Sequence, residues 1–291
     1  MTSRRQSIDF YGDTAHKNKD IQNYFVGDAF FQRLVADKKK HLALEYPYTL
    51  QSLANDLSSG RITQEAYSKQ FQTYFNNRDK LDKSLTPDNL KDSAETHAFN
   101  AQVSADTILA AKKHGIKVHF VDHADGGFDP KLKMDPINRI YAQRNIIPRN
   151  EAEKDSLDSR ERLAQDPIVA KRILDAFKGQ DGAVRYGWGH AVHARGIPHV
   201  LSKSNIDVRL RPVLVSENVD WYVRRNYENE YSRGIGLGLH HGRTDTAIEA
   251  GTGKDIPMPQ RMIDGAETTR NLEGRWIHNP SITQPRKGPS P

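Results

Sequence analysis

The chain has 291 residues, 36% of them hydrophobic, and a mean hydropathy of −0.76, which suits one large α/β domain or two small ones with part of the chain outside any core. Its 43 Lys and Arg against 37 Asp and Glu leave a net charge of +6, an excess that permits acidic partners without demanding them. The absence of cysteine excludes disulfides, thiolate metal sites and cysteine nucleophiles, and no apolar run reaches the ~18 residues of a membrane span.

The first residues, Met1 to Ser7, are polar and basic, so no secretory signal peptide is expected. The composition predicts a cytoplasmic chain, or one exported without a classical signal. Ser7–Tyr11 reads as a short buried strand, followed by the turn Gly12-Asp13-Thr14-Ala15-His16. Apolar residues at helical spacing predict one helix over Asn18–Lys39. The Lys38-Lys39-Lys40 run reads as its solvated end, where positive charge suits the helix dipole, and not as a nucleic-acid patch. His41–Glu45 is the second strand, stopped by Pro47.

Helices follow over Leu50–Leu57 and Gln64–Asn76, and a third opens at Thr86-Pro87, an N-cap with proline in the first turn. A further helix covers Ala94–His114 and ends at Gly115. Residues 49–97 therefore read as a helical insertion, fit to act as a lid. Ile116–Asp122 is the third strand, followed by a loop at Asp125–Pro130 and an irregular region, Lys131–Asn150. Glu151–Lys178 is helical with a kink at Pro167. Ala183–Tyr186 is the fourth strand, His193–Leu201 a short helix, and Val208–Val215 the last strand, placed at an edge by Pro212.

Strands separated by helices predict α/β architecture: a mainly parallel central sheet flanked by helices, spanning residues 1–226. Residues 227–291 read as a flexible or extended tail. Gly234–Gly238 lacks the strand and helix that a dinucleotide loop requires. The tail's last charges, Arg286 and Lys287, give little to a nucleic-acid partner.

Ligands of parallel sheets bind beyond the carboxyl ends of the strands. Here the first strand leads to Asp13 and His16, the second ends in Glu45, and the third ends in Asp122 and His123. The fourth leads into Gly187-Trp188-Gly189-His190-Ala191-Val192-His193. Groups that titrate or bind metal thus follow all four strands, where burial without partners is costly. Plainer roles exist for some. Asp13 suits a helix cap, Glu45 a salt bridge, His119 a packed or surface position, and His41 and His114 the ends of elements.

The Gly12–His16 turn, the strand-ending Glu45 and the Gly187–His193 stretch together resemble the superfamily of erythromycin esterase, the haem-binding ChaN proteins and the TraB/Tiki proteases. Residues 7–216 carry the resemblance, and Arg160 matches an arginine of that superfamily. The first acid here is Asp13 where the esterases use Glu. The resemblance implies hydrolysis of an ester or peptide bond, or haem binding without turnover.

In the hydrolytic reading His16, oriented by Asp13 or Glu45, is the general base. His190 or His193 polarises the carbonyl, and Arg160 adds positive charge. A metal-assisted variant places Zn, Mn or Co on His16, Glu45 and His190, with His193 as a further donor. In the haem reading Tyr11, Tyr46 or His16 is the axial ligand. A third class is an effector-like interaction protein. The expected partner is a small molecule or peptide.

Overall fold

A computed structural model describes residues 5–80, 86–123, 166–192, 196–215 and 246–257. The strands are β1 (Ser7–Asp13), β2 (His41–Pro47), β3 (Lys117–Asp122), β4 (Gly182–Gly187), β5 (Asp207–Leu214), β6 (Thr246–Glu249) and β7 (Asp255–Pro257). The helices are α1 (Lys19–Val26), α2 (Asp28–Ala36), α3 (Gln51–Ser59), α4 (Gln64–Asp79), α5 (Pro87–Lys113), α6 (Asp166–Phe177), α7 (Gly189–Val192) and α8 (Ile197–Lys203). The strands form one mostly parallel sheet in the order β3-β2-β4-β1-β5-β6-β7, and helices flank it. No helix among the described residues is long and apolar enough to cross a membrane. The expectations for 124–165, including Arg160, for His193, for Gly234–Gly238 and for the final tail lie outside the described residues.

The chain divides into two compact units, residues 1–21 with 185–291, and residues 22–184. In the first, β1 pairs in parallel with β5 from Ser7↔Asp207 to Asp13↔Val213. Alternation along β1 puts Ile8, Phe10 and Gly12 on one face and Asp9, Tyr11 and Asp13 on the other, and Ile8 through Asp13 are all buried. Val208–Val215 was expected to be the last strand, at an edge. Instead β5 is followed in the sheet by β6, parallel to it, and by β7, antiparallel to β6. The proline is tolerated because β6 begins to pair only at Val213. Among the described residues the strand has β1 alone as a partner over Pro212, so a missing N–H costs no ladder bond on the other side.

In the second unit the single helix expected over Asn18–Lys39 is two. Gly27 is extended (ψ 151°) and serves as the N-cap position of α2, a break that glycine's poor helix propensity favours. Tyr24, Phe25, Phe30 and Phe31 close around the break, with ring centroids 5.2–5.5 Å apart. Conversely, the two helical stretches expected between Thr86 and His114 are one helix of 27 residues. Its start is as expected: the Thr86 hydroxyl accepts the Asn89 N–H, and the Asn89 side chain accepts the Thr86 N–H. α4 and α5 are joined by buried polar contacts, Tyr67 to Ser104 and Asp79 to His97, both 2.6 Å.

β3 is an edge strand, and its backbone is covered. The Gln51 amide accepts the Phe120 N–H (2.6 Å) and donates to the Val118 carbonyl (3.2 Å), as a neighbouring strand would. Further along, Arg172 donates to the Val121 and Asp122 carbonyls. Such cover blocks edge-to-edge association. At the opposite end of β2 and β3, His41 and His119 share a 2.8 Å hydrogen bond, and Gln180 meets the other His41 nitrogen at 3.1 Å. The readings of His119 as packed and His41 as an element end both hold, but the pairing of the two was not foreseen.

Burial, with the charges of His41 and Lys117, pushes the His119 imidazole down to about 4. The unfolded chain takes up that proton below about 6.5 and the folded chain only near 4, so stability is complete above the first value and falls as pH drops between them. Urea titrations are expected to show a loss of about 3 kcal/mol over that window, substantially smaller in His119→Gln.

Candidate active site

The polar groups of the first unit gather where β1 ends. Asp13 is the last residue of β1 and its side chain is 2% exposed. Its Oδ1 accepts the Ala15 N–H at 3.1 Å, which bends the chain out of the strand. Oδ2 lies 3.3 Å from His16 Nδ1 and 3.5 Å from Arg185 Nη2. Asp13 therefore serves its own turn and also holds the imidazole. It does not cap α1; that role belongs to Asn18, whose Oδ1 accepts the Asp20 and Ile21 N–H groups.

His16 itself is 60% exposed at the side chain. The ring turns Nδ1 toward the buried carboxylate, the contact by which a carboxylate orients an imidazole. The turn is tied down on both sides. The Thr14 hydroxyl donates to the Val213 carbonyl (2.6 Å), and the Trp188 N–H donates to the Asp13 carbonyl (2.9 Å).

Gly12 is required by close approach. A Cβ there would sit 2.0 Å from Trp188 Cε3, so the indole of the stretch after β4 occupies the space a side chain would take. Arg185 and Trp188 are the site residues that sequence reasoning missed. The signal for Arg185 was available: an arginine inside the apolar run Ala183–Tyr186 must be buried and must find an acid. Trp188 carried no such mark, because its partner is the empty face of a glycine.

The other candidates are placed differently. His190 lies on α7, 7% exposed, its ring edge-on to Tyr186 at 4.8 Å. It is a packed imidazole. Glu45 belongs to the second unit and lies within β2, which runs on to Pro47. It is half-buried at an irregularity in register between Leu44 and Pro47. Asp122 ends β3 half-buried, and His123 after it is buried. Among the described residues no three His, Cys, Asp or Glu side chains could together hold a metal ion; His193, a further donor of the expected Zn, Mn or Co site, lies outside them, and no step is assigned to such a site.

The class defined here is an α/β protein whose parallel sheet carries a carboxylate–imidazole pair at the carboxyl end of β1. No family model and no curated protein sequence matches the chain. Two solved structures are similar to it. The type III effector HopBA1 is 18% identical, with 72% of this chain and 78% of that chain covered and a TM-score of 0.42. ChaN of Campylobacter jejuni, described with cofacial haem binding, is 11% identical, with 73% and 83% covered and a TM-score of 0.39. Likeness of this degree says nothing of ligand or activity, which rest on the chain's own residues.

Two substitutions test the arrangement. Gly12→Ala forces the Trp188 ring out of its seat and is expected to lower unfolding free energy by about 1–3 kcal/mol or more. Arg185→Met removes the buried cation beside the Asp13 carboxylate and is expected to cost about 3–5 kcal/mol. Denaturant unfolding of each variant gives both values.

Proposed function

We propose that the chain is a haem-binding protein in which His16 is the axial ligand and Asp13 orients it. The observation that carries this reading is the contrast within one pair: a 60% exposed imidazole fixed at 3.3 Å by a 2% exposed carboxylate. Ligating histidines give their other ring nitrogen to a carboxylate in the same way, which sets the tautomer and strengthens the donor. Haem brings four nitrogens of its own and asks the protein for a single axial side chain, whereas a structural or catalytic zinc asks for three or more. His16, 60% exposed at the side chain, suits the first need. Tyr11 is fully buried, and Tyr46 packs against Phe71 and Phe120, which leaves His16 as the favoured axial residue of the three. Lys17 and Lys19, both exposed, flank it and would take the propionate charges. When bound, haem supplies one-electron and oxygen chemistry.

The same pair supports a second reading. Asp13 and His16 have the arrangement of a general base that takes a proton from water during ester or peptide hydrolysis. That reaction also needs a group aimed at the developing oxyanion. His190, one of the groups expected in that role, is buried against Tyr186, and the others, His193 and Arg160, lie outside the described residues.

Titration of the purified chain with hemin should give a Soret band that saturates near one equivalent. His16→Ala should abolish it, Asp13→Asn should weaken binding about 10–100-fold, and His190→Ala should leave it in place. Undiminished binding by His16→Ala would sink the proposal. Ester or peptide hydrolysis without haem, lost in His16→Ala, would establish the second reading instead.

A further inference from the structure

We infer that the amino-terminal edge of β2 and β3 in the second unit is a docking surface for an anionic lipid bilayer. Three turns meet there. The Lys117 N–H donates to the Lys40 carbonyl (2.9 Å), and the Lys40 N–H donates to the Asp181 carbonyl (3.3 Å). The turns bring Lys38 and Lys40 from the link between α2 and β2, Lys112 from the end of α5, Lys117 from the start of β3 and Lys178 from the end of α6. All five are exposed, and among the described residues none of them is in an ion pair. Lys113 differs, being paired with Asp28 at 3.0 Å. Acidic groups are present too: Asp37 and Asp181 are half-buried in the same turns, and each has a partner.

The second observation is backbone strain. Lys38 (φ 57°) and Lys178 (φ 49°) both adopt the left-handed conformation just past a helix. Helices commonly end in that conformation on glycine, which accepts it without penalty, whereas a Cβ makes it unfavourable. The chain places lysine at both positions, Lys178 followed by a left-handed Gly179 (φ 78°), and both residues lie in the turns of this edge. Helix C-termini favour positive charge, but the last turn of α5 meets that preference with Lys112 and Lys113 and then turns on Gly115 (φ 69°). Strain kept at two positions on one edge suggests a use for the charge.

The partner follows from what accompanies the lysines. Val35, in the last turn of α2, is 49% exposed, and its carbonyl accepts the Lys38 N–H at 2.9 Å. An apolar side chain among lysines suits the headgroup layer of a membrane. Single-stranded nucleic acid calls for aromatic platforms instead. Among the described residues of this unit the exposed aromatic, Tyr48, follows the far end of β2.

The test uses the full chain and vesicles of phosphatidylserine with phosphatidylcholine, beside vesicles of phosphatidylcholine alone. Co-sedimentation should require phosphatidylserine and weaken as salt is raised. The double variant Lys38→Gly/Lys178→Gly relieves the strain, so it should unfold at a higher temperature than wild type while binding vesicles roughly 25-fold more weakly, about five-fold for each lysine. Lys40→Ala/Lys117→Ala should weaken binding to a similar degree. Binding indifferent to phosphatidylserine would overturn the proposal. So would a glycine variant that binds as wild type or melts lower, or a preference for duplex DNA or RNA over vesicles that the same substitutions abolish.

Discussion

Two carboxylates are buried on one face of β1, and the first unit is built to accommodate them. Asp9 is fully buried and Asp13 nearly so, and neither position tolerates an uncompensated charge. Each is met by an arginine from a neighbouring strand: Arg211 of β5 reaches Asp9 at 3.4 Å, and Arg185 of β4 reaches Asp13 at 3.5 Å. A slip of one residue along β1 would turn both acids to the opposite face and leave both arginines behind. The ion pairs therefore specify register as much as they stabilise it. Asp13 is then used twice, since the oxygen that faces Arg185 also faces His16.

The opposite face of β1 completes the arrangement. Gly12 leaves room for the Trp188 ring, and the Trp188 backbone bonds to the Asp13 carbonyl. The stretch after β4 thus packs against the turn after β1, through shape on one side and through a backbone hydrogen bond at the end. His16 reaches out from this buried frame.

The second unit handles polar groups in another way. Its edge strand is covered by a glutamine amide instead of a partner strand, its α4–α5 hairpin is joined by an aspartate–histidine contact, and two histidines share one hydrogen bond at the start of β2 and β3. Each is a buried group matched with a specific neighbour. The left-handed lysines on the same edge run the other way: there the chain keeps charge at a cost in backbone conformation.

The sequence alone determined the local order of this protein. Apolar runs bounded by Gly and Pro marked β1 to β5, and the Thr86–Asn89 cap marked the start of α5, because those signals depend on neighbours a few residues apart. Such signals also placed Asp13 and His16 together after β1. They failed where the deciding contact was distant. The break at Gly27 depends on four aromatic rings closing around it. Pro212 reads as an edge residue until β6, more than thirty residues later, pairs only beyond it. The strands at Thr246–Glu249 and Asp255–Pro257 are too short to show a period and exist through pairing with β5 and each other. In the site, sequence supplied the imidazole and its carboxylate. Tertiary structure decided that Arg185 shares that carboxylate, that Trp188 fills the space over Gly12, and that His190 is packed against Tyr186, because burial and charge compensation are set by which strands become neighbours.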